Sequence, residues 1–203
     1  MLQNRVDPSG NIIKTPARGA WMGNRGVIHN AHQQIVRPFK LKAWITCRLE
    51  FKGKKRKVMT PDRWTELFFL DEATAFAAGH RPCFECRRED AVRFKQYWLK
   101  GNPEYGFNEK TSIGEIDKLL HKERMARDHS KITFPEYARD LPKGVFVLYK
   151  NDPYLVSDGA MFLWSPSGYA KGIAFPDERM AVLTPRSVVQ AFKAGYVPGI
   201  AVF

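Results

Sequence analysis

The chain has little cysteine, comparatively few acidic residues and no long apolar run. Its 203 residues include three cysteines, and 33 Lys and Arg stand against 21 Asp and Glu, a net charge of +12. Three cysteines are too few, and an odd number, for the disulfide framework of a small secreted domain. No stretch reaches the roughly 18 consecutive apolar residues of a membrane span, and residues 1–20 lack the apolar centre of a signal peptide. These absences predict a reducing, cytoplasmic setting in which cysteines are free, metal-bound or reactive.

The positive charge is concentrated in the first half of the chain. Residues 1–100 carry 20 Lys and Arg against 9 Asp and Glu, a balance of +11, whereas residues 101–203 carry 13 against 12, a balance of +1. A basic half joined to a neutral half favours a module that binds a polyanion. Nucleic acid is the leading partner, a basic protein without a polyanionic partner is the second interpretation, and acidic small ligands are the third.

Residues 44–51 alternate between apolar and polar side chains. A period of two predicts a half-buried strand, with Cys47 on the face towards the core. Lys52-Gly53-Lys54 would then turn the chain, and residues 55–58 would return as the second arm of a β-hairpin. This hairpin would carry a basic tip.

Helix and turn signals divide the rest of the chain. Asp71 and Gly79 are placed to begin and end a short helix, an apolar stripe over residues 89–100 predicts a second helix, and Ser112–Glu115 is a capping box for a third. Several short strands separated by turns follow. The expected fold is α+β in four parts: an irregular arm over 1–20, a basic zinc-binding module over 21–100, a helical linker over 101–140, and a β-rich, barrel-like module with a closing helix over 141–203.

Cys83 and Cys86 carry the strongest chemical signal in the sequence. Two thiolates at this spacing can both reach one tetrahedral Zn²⁺ at about 2.3 Å, and Pro82 stiffens the turn between them and the preceding helix. Cys47 supplies a third sulfur from the predicted strand. The alternatives are a redox-active pair, which the position after a helix disfavours, and inert thiols.

A tetrahedral site with three cysteines needs a fourth ligand. His29 is the leading candidate, because it ends the short strand that precedes the Cys47 strand. His80 lies three residues from Cys83, and His32 falls in a predicted turn. A carboxylate or a water molecule is the remaining alternative.

The stretch from Glu72 to Cys86, EATAFAAGHRPCFEC, resembles the second metal knuckle of the Ada-type zinc-binding domain of DNA methylphosphotriester repair proteins. In that family the cysteine at the position of Cys47 is a zinc ligand that accepts a methyl group from the DNA backbone. The resemblance covers about residues 44–90, and it implies an Ada-like zinc module, DNA binding and methyl acceptance by Cys47. It departs at Phe51, where the family has its second cysteine.

This departure changes the expected chemistry of the metal. Zinc with four thiolates carries a net charge of −2, whereas three thiolates and a neutral histidine leave −1. The sulfur atoms are then less nucleophilic, and Cys47 faces the core. The sequence therefore predicts a mainly structural zinc ion.

Basic residues around the hairpin tip and the knuckle are the predicted nucleic-acid contacts. Each phosphate that they neutralise would add to a salt-dependent affinity, and Trp44 and Trp64 could stack on bases. The alternatives are a solvated turn for the lysines and a core position for the tryptophans. The predicted contacts are Lys52, Lys54, Lys55, Arg56 and Lys57 at the tip and Arg81, Arg87 and Arg88 around the knuckle.

Asp117 and His121 form a second candidate catalytic set, with Arg124 one turn further along the same helix face. Such a set can perform acid–base chemistry, although a solvated, ion-paired helix face is the commoner explanation.

Three functions follow from the sequence. The leading one is a zinc-binding protein of DNA repair or modification that binds DNA more than RNA; the others are an enzyme acting on a nucleic-acid base or backbone, and a protein-interaction scaffold.

Overall fold

Two six-stranded sheets and four α-helices build the α+β fold of residues 1–53 and 57–201, the part of the chain that the computed structural model describes. The predicted α+β class is therefore confirmed. Within the same ranges, the structure contains no helix with the length and apolar character needed to span a membrane.

The first sheet is mixed and comes from the N-terminal part of the chain. It comprises β1 (Gln3–Val6), β2 (Ile12–Lys14), β3 (Trp21–Asn24), β4 (Ile45–Cys47), β5 (Leu67–Phe69) and β6 (Arg81–Pro82). The strands pair in the order β2-β1-β5-β3-β4-β6. Strand β4 lies between β3, to which it is antiparallel, and β6, to which it is parallel.

The predicted hairpin over 44–58 is wrong. Strand β4 ends at Cys47, the next three residues are exposed, and Lys57 and Val58 lie outside any strand. Because β4 pairs with β3 and β6 instead, Trp44 and Thr46 are buried as well as Cys47. The alternating pattern therefore indicated a strand, but not its length or its partners. Residues 54–56 of the predicted tip lie outside the described part of the chain.

The second sheet is antiparallel throughout. It comprises β7 (Phe134–Tyr137), β8 (Phe146–Tyr149), β9 (Asp152–Ser157), β10 (Ala160–Ser165), β11 (Gly168–Ile173) and β12 (Arg179–Val182). The order is β11-β10-β9-β8-β12-β7, so in the described residues β11 and β7 are edge strands of an open sheet. The predicted barrel-like closure is wrong. Both edge strands contain residues that disfavour strands, Pro135 in β7 and two glycines in β11.

Three of the four helices begin close to residues that the sequence indicated, and the fourth is the predicted closing helix. They are α1 (Glu72–Ala77), α2 (Arg88–Gly101), α3 (Ile113–Arg124) and α4 (Arg186–Lys193), and two 3₁₀ turns cover Pro103–Tyr105 and Ala138–Asp140. Asp71 caps α1 by accepting a hydrogen bond from the Thr74 backbone N–H at 2.8 Å. Ser112 precedes α3 without a side-chain capping bond.

The largest hydrophobic cluster draws on both halves of the chain. Phe76 of α1 and Phe94 of α2 belong to the same cluster as Leu120 of α3, Val147 of β8 and Phe192 of α4. The predicted boundaries at 100 and 140 therefore do not separate independent cores. The N-terminal basic region is anchored to the second sheet through helices.

Gly79 ends α1 in a backbone conformation that favours glycine. Its φ is +87°, and a Cβ atom there would overlap the side chain of the buried Arg124.

We expect Gly79→Ala to lower the free energy of unfolding by about 2–4 kcal/mol, through backbone strain and overpacking together. Urea unfolding measures the change. Gly106→Ala is the matched control, because Gly106 has φ +66° with open space around it and should lose only about 1–2 kcal/mol. Equal losses would contradict the steric account.

Candidate metal centre

Three cysteine side chains meet at one point beneath the first sheet. The sulfur atoms of Cys47, Cys83 and Cys86 lie within 4.8 Å of one another, and the three residues are 2%, 7% and 7% exposed. Met22 packs against them. Three mutually close sulfur ligands suit a tetrahedral metal ion, so the cluster could hold one, as the sequence predicted for these three residues.

Strand pairing brings the two parts of the cluster together. The register aligns Thr46 with Pro82, and the Cys83 N–H donates to the Thr46 carbonyl at 2.9 Å. Because β4 and β6 are parallel, Cys47 at the end of β4 and Cys83 directly after β6 lie at the same end of the two strands. The turn then continues into α2, with the Arg87 N–H donating to the Cys83 carbonyl at 3.0 Å and the Glu85 N–H lying 3.4 Å from the Cys83 sulfur.

The three thiols share negative charge unequally. A hydrogen bond with Cys47 is the main cause that lowers the pKa of Cys83 to about 5. The same interaction raises the pKa of Cys47, and burial raises that of Cys86. Zinc binds cysteine as the thiolate, so metal binding would release the protons that the three thiols hold, and metal affinity should fall as the pH falls.

His29 does not join the cysteines. Its Nδ1 lies 2.6 Å from the Thr65 hydroxyl oxygen and its Nε2 lies 3.2 Å from the Thr60 carbonyl oxygen, so both ring nitrogens are engaged. The reason is strand direction. Met22 is opposite Cys47 and Asn24 is opposite Ile45, so the chain that continues from β3 towards His29 leads away from the metal end of β4.

The other histidines do not replace it. The Nε2 of His80 accepts a hydrogen bond from Arg25 at 3.3 Å, and His32 is exposed. Among residues 1–53 and 57–201, no His, Asp or Glu completes the cysteine group. In a metal-bound protein the fourth position would therefore go to water or to an external ligand.

Arg81 and Arg87, two of the predicted nucleic-acid contacts, are buried in ion pairs. Arg81 donates to both carboxylate oxygens of Asp117, at 2.9 and 2.6 Å. Arg87 contacts Glu72 at 2.5 Å and Asp90 at 2.9 Å. These two arginines hold α2 and α3 against the first sheet and are not available to phosphates, so their predicted role is wrong.

The remaining predicted contacts divide into two groups. Arg88, Lys52 and Lys57 are exposed, as a phosphate contact requires. Lys54, Lys55 and Arg56 lie outside the described residues. Of the two tryptophans, Trp44 is buried and Trp64 is 38% exposed.

The predicted acid–base pair of α3 is wrong. Asp117 is 3% exposed and both of its oxygens bind Arg81, whereas the Nδ1 of His121 lies 3.0 Å from the guanidinium of Arg124. Burial, and then the Arg124 charge, lower the pKa of His121 to about 4. Helical spacing placed the two side chains on one face, but Asp117 is paired with Arg81 of β6 and His121 contacts Arg124 of its own helix.

Comparison of the chain with protein-family models, with curated proteins and with solved structures finds no match. The resemblance to the Ada-type zinc domain therefore remains a prediction from the motif in residues 44–90. Independently of that motif, the fold brings three buried sulfur atoms close together.

Proposed function

We propose that the protein binds nucleic acid, DNA more than RNA, through an exposed basic segment that a mainly structural zinc ion holds in place. Such a protein would serve DNA repair or modification. The observation that carries this proposal is the distribution of exposed cations around Cys47, which differs from the arrangement expected from the sequence.

We call residues 37–63 the exposed basic segment. It contains ten Lys and Arg and two acidic residues, so it carries +8 of the net charge of +12. Every cation of the segment in the described ranges is exposed, and none of these has an ion-pair partner there. The cations in the described ranges are Arg37, Lys40, Lys42, Arg48, Lys52, Lys57 and Arg63, and Lys54, Lys55 and Arg56 lie outside those ranges. Exposed positive side chains without acidic partners create a positive electrostatic potential that is suited to binding the phosphate backbone of nucleic acid.

A metal at the cysteine cluster would fix this segment to the rest of the fold. Strand β4 is the segment's one regular element in the described residues, and Cys47 ends it directly before the exposed Arg48. Bonds to Cys83 and Cys86 would tie β4 to the start of α2. Three sulfur ligands favour zinc. We assign the ion a mainly structural role because the 2% exposure of Cys47 disfavours attack of its sulfur on a DNA methyl group, although the fourth position is left to water or an external ligand.

Removing charge from the segment should weaken binding to any sequence. In a variant with Gln at Lys40, Lys42, Arg48 and Lys52, we expect lower affinity for a DNA duplex. The slope of log K against log salt should also fall by up to about 3.6, since each lost phosphate contact removes about 0.9. Fluorescence anisotropy at several salt concentrations measures both quantities.

The control variant removes the same charge elsewhere. Gln at Lys122, Lys150, Lys171 and Lys193, which are exposed in the second half, changes net charge equally but should leave the slope near that of the wild type. If both variants shift the slope alike, or neither does, the segment is not the binding surface.

A further inference from the structure

A cavity of about 370 Å³ lies apart from the cysteine cluster, between the turn of β1 and β2 and the residues that follow α3. Three cationic side chains line it, those of Arg25, Arg124 and Lys131. Asn11 and Ser130 add polar groups to the same wall. None of the motifs discussed above accounts for this concentration of positive charge.

The two arginines are almost completely buried. Arg25 and Arg124 are 1% and 2% exposed, and their guanidinium carbons lie 3.8 and 3.9 Å from the ring centre of Trp44. No acidic residue of the described ranges forms an ion pair with either arginine or with Lys131. A buried cation without an acidic partner is costly.

Neutral groups satisfy only part of this charge. The acceptors are the carbonyl of Gly10 and Nε2 of His80 for Arg25, the carbonyls of Gly79 and Lys42 and Nδ1 of His121 for Arg124, and the carbonyl of Ala77 for Lys131. The Nε of Arg124 is buried and has no hydrogen-bond partner in the described structure. Arginine has five N–H donors and lysine three, more than these bonds use, so the site retains hydrogen-bonding capacity as well as charge.

The cations also act on one another. Burial, followed by repulsion from Arg25 and Arg124, lowers the pKa of Lys131 to about 7. Burial lowers the pKa of Arg25 to about 9, although Asp7 attracts its charge. The pKa of Arg124 is lowered by burial and by Arg25, with Asp117 as the opposing charge. An anion in the cavity would relieve all three costs at once.

We propose that this cavity binds a phosphate group. Guanidinium groups offer paired donors to phosphate oxygens, Lys131 adds a point charge, and the hydroxyl and amide of the wall can complete the contacts. The volume admits a phosphate with a small organic group, but not a duplex. The phosphate belongs either to a free phosphate ester or to the end of a nucleic-acid strand. The cavity shares Pro38 and Trp44 with the exposed basic segment, but none of the exposed cations of that segment lines it. The proposal therefore does not rest on nucleic-acid binding by those cations.

Thermal unfolding of the full chain tests the proposal, with inorganic phosphate as the probe. Increasing phosphate should raise the Tm of the wild type, whereas chloride at equal ionic strength should not, because only a ligand of the native state stabilises it by mass action. Lys131→Met should weaken phosphate binding, measured by calorimetry, at least about tenfold, because it removes a charged donor. Lys122→Met, on the exposed face of α3, should bind phosphate like the wild type.

Two further arms separate the sources of the phosphate. A nucleoside 5′-monophosphate that binds more tightly than inorganic phosphate would indicate a free ester. A single-stranded oligonucleotide that binds more tightly with a 5′-phosphate than with a 5′-hydroxyl would indicate a strand end. An equal Tm in phosphate and chloride would overturn the proposal without any variant, and so would full phosphate affinity in Lys131→Met. The variant with four Gln in the exposed basic segment should keep its phosphate affinity, which distinguishes failure of this site from failure of nucleic-acid binding.

Discussion

Protein purified without chelator will contain about one zinc ion per chain, and the Cys83→Ser variant will contain none. A serine hydroxyl is a poor ligand for zinc, and two remaining thiols cannot close a tetrahedral site. Elemental analysis of the purified proteins measures the metal content. Cys83 is the appropriate position because its backbone already joins β6 to β4 and its carbonyl accepts from the start of α2.

The same substitution should lower the free energy of unfolding by about 5 kcal/mol or more. Structural zinc contributes about 10–16 kcal/mol of apparent binding energy in small zinc-finger peptides. The loss should be smaller here, since the large hydrophobic cluster around Phe76 and Phe94 contains none of the three cysteines. Urea unfolding of metal-loaded protein gives the value.

Chelator provides the matched control for this experiment. Chelator-treated wild type should unfold like Cys83→Ser, and chelator should leave that variant unchanged, because both have lost the same ion. Wild-type protein with zinc content near zero, or a variant that keeps its zinc, would remove the metal centre from the account.

Asp117→Ala should lower the free energy of unfolding by about 3–5 kcal/mol. The change leaves the guanidinium of Arg81 buried and without its carboxylate, and an uncompensated buried charge is among the most costly defects in a protein. Arg81 and Asp117 have side chains 6% and 5% exposed, so water cannot replace the lost partner. Urea or thermal unfolding measures the effect.

Two comparisons make this prediction specific. Lys118→Ala, in the adjacent exposed pair with Glu115 on the same helix, should change stability by less than about 0.5 kcal/mol. Replacing Arg81 and Asp117 together with Met and Leu should cost less than Asp117→Ala alone, because no buried charge remains. A stable Asp117→Ala protein would contradict the structural role assigned to this pair and reopen the catalytic interpretation.

Local signals predicted much of the fold correctly. The cap at Asp71, the glycine at 79 and the apolar stripe of α2 depend on side chains within a few residues of each other, and each corresponds to a helix end or a buried helix face. The cysteine cluster could be predicted from the sequence for a similar reason. Cys83 and Cys86 are close in sequence, and the inward direction of Cys47 follows from the period of a strand.

Strand partners and register could not be read in the same way. The alternation over 44–51 is compatible with a hairpin, but β4 pairs with β3 and β6. That choice determines which end of β4 meets the knuckle, and it separates His29 from the cysteines. The prediction placed His29 beside Cys47 because their strands are neighbours in the sequence. Antiparallel pairing of β3 and β4 instead runs the two strands in opposite directions and separates the two residues.

The sequence by itself determined the class of the fold, most helix ends, the three cysteines that could hold a metal ion and the excess of positive charge in the first half. Only the tertiary structure decided what each cation does. Arg81 finds Asp117 across 36 residues and Arg25 finds His80 across 55, whereas Lys40 and Lys52 remain exposed. Composition counts all these charges equally. Burial and partners distinguish them, because the free energy of a charge depends on the water and the counter-charge that the folded chain leaves around it.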